Sequence, residues 1–301
     1  MNQMVRPTTH QSHISRHFEV LRGGSDRSST PPLFCFHPSG GDIGVYRKFV
    51  RQLNSVCAVI GVKPSQEAVA GPSSIESMAE CYAGLIDRFQ SSGPIRLLGF
   101  SLGGFTAAAV ARILDDNDRE VSFLGMIDSD LRWSGDTDSG RVELALRISQ
   151  ISRKLQDSGL LKRVDDNQGL ADAQAIADLC FKADDLTGAE IVAECDARGH
   201  ETRDVEGAKL FLQFVNNFAD HCRLIKRHKA RAIPCPVQLW WPTDPEVTDG
   251  ARLKAWNPFV QQEISERWLP GSHYEIMRMP AVRQLAADVD ASLALKPTTN
   301  Y

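Results

Sequence analysis

Several features are missing from this chain of 301 residues, and each absence removes a class of function. There is no basic excess: the formal net charge is −4, so nothing is built to track nucleic-acid phosphates. No apolar run approaches the length of a membrane span. The first twenty residues, polar and rich in His, Ser and Thr, lack the apolar stretch of a secretory signal. The seven cysteines include no C-x-x-C pair. Cys35, Cys57 and Cys235 sit in strand-like runs, where a reduced thiol packs as a small hydrophobe rather than bridging. No metal-ligand spacing stands out and no internal repeat is evident. The reading is a cytoplasmic protein with no nucleic-acid or membrane partner, no bound cofactor and no metal.

The composition, 42% hydrophobic and 24% charged, is ordinary for a globular protein, and the length supports one large core. Residues 1–30 read as a polar leader, partly disordered. Apolar runs then alternate with helical stretches: Leu33–Phe36, Val56–Val62, a helix over 75–89, Ile95–Phe100, an Ala-rich helix from Leu102 to Leu114, and Val121–Ile127. Near-continuous apolar strands separated by helices predict a mostly parallel sheet covered on both faces. From about 131 to 232 no convincing strand occurs. Leu144, Ile148, Ile151 and Leu155 share one helical face, and so do Phe211, Phe214, Phe218, Cys222 and Ile225. Strand-like segments resume at Pro236–Trp241 and Arg267–Leu269, and a helix over 281–295 closes the domain. The main domain is therefore expected over 31–295, with a helical insertion and a frayed tail at 296–301.

The chemistry centres on Gly99-Phe100-Ser101-Leu102-Gly103, which matches G-x-S-x-G between an apolar strand and a small-residue helix. A serine hydroxyl needs a base to take its proton and donors to hold the oxyanion it creates. Ser101 is the candidate nucleophile. The Leu102 N–H, at the helix start, is one oxyanion donor, and the Ser39 N–H in His37-Pro38-Ser39-Gly40-Gly41 is the second. His37, at a strand end, is better read as bonding neighbouring backbone. His200, His221 and His228 lie in the insertion and read as surface residues. His273, between the last strand and the closing helix, is the candidate base. The orienting acid has two positions open, Asp128 and Asp244, each ending a strand, with Asp130 a lesser one.

Four blocks taken together resemble the thioesterase domains of nonribosomal peptide and polyketide synthetases: Pro32–Gly41, Leu98–Gly104, Gly125–Ser129 and Pro270–Tyr274. The resemblance spans roughly residues 18 to 293 and implies an α/β-hydrolase fold in which the insertion is a lid. It implies Asp128 as the acid, whereas stand-alone editing members would favour Asp244. It also marks His17–Arg22 as a linker and first strand. The implied reaction moves an acyl chain from the phosphopantetheine of an acyl or peptidyl carrier protein onto Ser101. The chain is then released by water, or by an internal amine or hydroxyl. The lid face, including Phe211, Phe214 and Phe218, would line the acyl pocket, and Arg223, Lys226, Arg227, Lys229 and Arg231 would meet the carrier. With no carrier segment in the sequence, the enzyme is expected to act in trans or to be an excised domain. Two other functions stay open: an acyltransferase or esterase on small soluble esters, and a non-catalytic binding protein of the same fold.

Overall fold

Strand-forming runs that are buried on both faces must find neighbours on both edges, and here they assemble into one seven-stranded sheet. The computed structural model describes residues 16–24, 30–64, 73–132, 220–243 and 250–294, with short pieces of 145–157, 173–178 and 217–218. The strands are β1 (Phe18–Arg22), β2 (Leu33–Phe36), β3 (Val59–Val62), β4 (Ile95–Phe100), β5 (Val121–Ile127), β6 (Val237–Pro242) and β7 (Ile264–Leu269). Their spatial order is β1-β3-β2-β4-β5-β6-β7. β1 runs antiparallel to β3 and every other pairing is parallel. The chain passes from β2 outward to β3 and then returns to place β4 on the other side of β2. The carboxyl ends of β2 and β4 therefore flank a topological switch point, where open α/β sheets bind their ligands.

Among the described residues the helices between these strands include α1 (Arg47–Gln52), α2 (Ile75–Phe89), α3 (Leu102–Asp116) and α4 (Ala251–Trp256), and α5 (Ala281–Ala294) follows β7. A 3-10 turn over Ile43–Tyr46 precedes α1. Ser74 and Ser77 form a reciprocal capping box that starts α2, at 3.0 and 3.2 Å. α5 is joined to the sheet through Asp288, which accepts from Trp240 Nε1 at 3.1 Å. Asp290 of the same helix accepts from the backbone N–H groups of Asn54 and Ser55.

The polar leader expected over 1–30 contains β1, so Phe18–Arg22 belongs to the sheet. The reason is local chemistry. Phe18 packs on Phe34 and Phe89, with ring centroids 5.9 and 5.2 Å away. Arg22 donates to the carbonyls of Leu53, Ser55 and Cys57 at 2.7–3.1 Å, gathering the chain after α1. Val20 is 65% exposed, as befits an edge strand with one wet face. β3 starts at Val59 rather than Val56, which is exposed.

The chain divides into two compact units. The first holds all seven strands, and the second comprises Ser39–Gly41 and Trp133–His228. Within the second, Ala145, Ile148, Ala173, Ile176, Ala177, Phe218 and Cys222 are buried on helical turns. Leu144, Ile151, Leu155, Phe211 and Phe214 lie outside the described residues, as does Asp244. No helix among the described residues is long and apolar enough to cross a membrane.

Candidate active site

β4 ends at Phe100 and α3 begins at Leu102, leaving Ser101 alone to make the turn. Its backbone sits at φ 57°, ψ −123°, a left-handed conformation that an L-residue holds only under constraint. Several bonds supply that constraint. Ser101 N–H donates to Ile127 O at 2.8 Å, and Gly104 N–H donates to Ser101 O at 3.0 Å. Ser129 Oγ also donates to Ser101 O, at 2.8 Å. The motif's glycines follow from space. A Cβ on Gly99 would overlap the Gly103 backbone, and one on Gly103 would overlap the Phe36 carbonyl. The Ser101 turn and β2 thus meet backbone to backbone, at the switch point.

A buried phenol fastens the same place. Tyr46 Oη donates to Phe36 O at 2.7 Å and accepts from Phe100 N–H at 2.8 Å, tying the ends of β2 and β4 together. Burial holds this phenol protonated well above the ordinary tyrosine range, with Cys35 adding to the shift and the Phe100 N–H opposing it. His37 follows β2. Its Nδ1 meets Pro38 O at 3.0 Å and its Nε2 meets Tyr82 Oη at 2.8 Å. A carbonyl can only accept, so Nδ1 carries the hydrogen and Nε2 accepts from Tyr82. Both ring nitrogens are engaged in structure.

His273 and Asp128 come together from the ends of β7 and β5. His273 Nδ1 lies 2.6 Å from Asp128 Oδ2. An ionised carboxylate only accepts, so the hydrogen sits on Nδ1 and Nε2 is left as a proton acceptor. The imidazole stacks on Phe100, the residue before Ser101, with centroids 4.7 Å apart, and meets the edge of Tyr274. Its side chain is 28% exposed while that of Asp128 is 8% exposed. The imidazole is thus partly open to solvent, while the carboxylate bonded to it is buried. Asp128 itself has φ 44°, and its N–H donates to Trp240 O at 2.8 Å.

The sequence does not single out the residues that hold this pair. Arg252, on α4, places NH1 3.6 Å from Asp128 Oδ1 and donates from Nε to Asp130 Oδ2 at 3.1 Å. Its guanidinium lies over the rings of Trp241 and Trp268, at 5.4 and 5.8 Å. Trp256 Nε1 donates to Ser129 O at 2.7 Å. Asp130 accepts from Arg132 as well as from Arg252. The one available signal is that Asp128, Ser129 and Asp130 are consecutive at a strand end.

Ser39 belongs to the second unit, where it is buried and its carbonyl accepts from His221 Nδ1 at 2.5 Å. His221, expected at the surface, is only 3% exposed. Burial pushes its basicity down, while the Ser39 bond and Asp220 oppose the shift. Arg223 is paired with Asp220. Among the described residues no group of His, Cys, Asp or Glu is arranged to hold a metal ion.

A family model for the thioesterase domain matches residues 31–293. The chain belongs to the thioesterase-domain family. Relatives of this thioesterase-family chain are synthetases. It is 32% identical over 113 residues to enterobactin synthase component F of Escherichia coli O157:H7, a match covering 36% of this chain and 8% of that protein. It is 24% identical over 283 residues to vanchrobactin synthetase VabF of Vibrio anguillarum, covering 92% of this chain and 8% of the synthetase. The chain thus spans a small fraction of the curated relatives it matches. Solved structures of similar fold include a holo four-domain nonribosomal peptide synthetase bound to AMP and glycine. That likeness has a TM-score of 0.64 and 23% identity, over 93% of this chain and 20% of the other. The NocB thioesterase domain from the nocardicin cluster superposes with a TM-score of 0.61 at 16% identity, over 92% and 99% of the two chains. These likenesses identify the fold as α/β-hydrolase, with a mostly parallel sheet between helices.

Proposed function

We propose that this thioesterase-family chain is a serine enzyme that takes an acyl, peptidyl or polyketide chain from a carrier protein and releases it. The observation that carries the reading is the 2.6 Å bond between His273 Nδ1 and Asp128 Oδ2, beside a strained Ser101 turn. His273 Nε2 removes the Ser101 proton as Oγ attacks the thioester carbonyl carbon. The oxyanion is received by the Leu102 N–H and, on the resemblance, by the Ser39 N–H. Collapse breaks the carbon–sulfur bond, and the imidazolium returns its proton to the pantetheine thiolate. Water, or an amine or hydroxyl within the chain, then attacks the Ser101 ester with the same base. Asp128 orients the imidazole and stabilises its cation in both halves. The phosphopantetheine enters as part of the substrate, so the enzyme needs no resident cofactor. Buried thiols at Cys35, Cys57 and Cys235 suit a reducing cytoplasm.

Mass spectrometry after mixing with loaded carrier protein tests the reading. The expected result is an acyl adduct on Ser101, absent in Ser101→Ala. Asp128→Asn is expected to lower turnover by about 10³–10⁴-fold with the fold intact. Loss of that size in Asp244→Asn instead would move the acid to Asp244. Equal turnover of free oxygen esters and carrier-bound thioesters would favour the small-ester enzyme.

A further inference from the structure

We infer that Arg252 is a positioning residue that keeps His273 neutral, and hence usable as a base, by occupying the second oxygen of Asp128. The inference rests on the serine mechanism proposed above and adds to it a control on the base. Asp128 divides its carboxylate, with Oδ2 to His273 Nδ1 at 2.6 Å and Oδ1 to Arg252 NH1 at 3.6 Å. The second contact is an ion pair rather than a hydrogen bond, and both side chains are 8% exposed, so water screens it little.

The surrounding charges make the cation necessary. Asp130 follows Asp128 by two residues and its carboxylate also reaches Arg252, at 3.1 Å. Two carboxylates at the end of β5 would together favour the imidazolium form of His273. A histidine that is already protonated cannot take a proton from serine. Arg252 faces both acids at once, and Arg132 adds a second cation on Asp130. Two negative and two positive charges therefore offset one another at the end of β5. Other charged groups among the described residues include Glu275, bonded to Ser272 N–H at 3.0 Å and facing the charge of Arg278, and Glu266, which accepts from Trp241 Nε1 at 3.0 Å. Glu275 is held below the ordinary carboxylate range by its Ser272 bonds and stays anionic at neutral pH.

Arginine suits the position. Its planar cation lies over Trp241 and Trp268, and its fork points separate nitrogens at separate carboxylates. The two indoles come from β6 and β7, so the cation is seated in part by the strand that leads to the base.

The test is the pH dependence of Ser101 labelling by a fluorophosphonate, which needs no natural substrate. Its acid limb follows protonation of His273. Arg252→Met removes a cation, so the limb is expected to move up by about one pH unit. Asp130→Asn removes an anion and is expected to move it down. Arg252→Lys keeps the charge and is expected to leave the limb near the wild-type position. Opposed shifts are beyond a merely structural role, which would slow labelling without moving the limb. If Arg252→Met does not fold, Arg252→Lys and Asp130→Asn still decide. Limbs of Arg252→Met and Asp130→Asn that stay in place, or that move together, overturn the inference while leaving the serine mechanism standing. Wild-type protein that is not labelled at Ser101 would sink the mechanism and the inference with it.

Discussion

At the scale of single residues, the site depends on side chains that touch backbone as much as on those proposed to do chemistry. Tyr46 is the clearest case, since one hydroxyl serves the carbonyl that ends β2 and the N–H just before Ser101. Both atoms are buried, so removing the hydroxyl strands polar groups that water does not reach. Tyr46→Phe is expected to destabilise the protein by about 1–3 kcal/mol. It should also slow Ser101 labelling, because the turn is braced there. Urea unfolding together with the labelling rate checks it; an unchanged midpoint would show the bridge contributes nothing. The sequence offered no pointer to Tyr46, an aromatic in a loop-like stretch. Ser101 was plain from its neighbours, because only a strand, a glycine-flanked turn and a helix in that order present a hydroxyl so.

Elements were legible where burial was complete. β2, β5 and α2 begin and end where periodicity and turn residues predict. β7 starts at Ile264, three residues before the expected Arg267, because Ser265, Glu266 and Arg267 give an edge strand a mixed pattern. α1, with sequence RKFVRQ, and α4, with ARLKAW, escaped notice because six residues hold too few apolar positions to show a period. The helical turns of the second unit were expected, but the role of His221 was not. Its ring is buried and donates to Ser39 O. Its basicity is depressed on folding, so the unfolded chain binds the proton more readily. Stability is therefore expected to be full above the ordinary histidine pKa, about 6.5, and to fall as pH drops below it. His221→Gln, which keeps an N–H donor but cannot titrate, should flatten that fall. Urea midpoints measured across the range would tell; parallel curves for the two proteins would rule His221 out.

For the whole molecule, the sheet order decides where chemistry can happen. The switch between β2 and β4 puts Ser101 at their carboxyl ends, and β5 and β7 deliver Asp128 and His273 to the same edge. The same burial that shapes this core should quiet its thiols. Cys35 is fully buried and its thiol is pushed well up, while Cys235 is pushed up to about 12. Neither is expected to react with iodoacetamide at mildly alkaline pH in the native protein, and both should react in denaturant. Peptide mapping after alkylation reads this directly, and native labelling of Cys35 would contradict the closed core.

What the sequence determined by itself was local and periodic. The apolar strands and the glycine-flanked serine turn lie in contiguous residues, so neighbours in sequence state them. The choice of partner did not lie there. Asp128 meets His273 across 145 positions, and Arg252 reaches Asp128 across more than a hundred. These contacts exist because parallel strands carry their ends to one edge, where a buried charge is stable only beside its opposite. Only the folded sheet decides which charge that is.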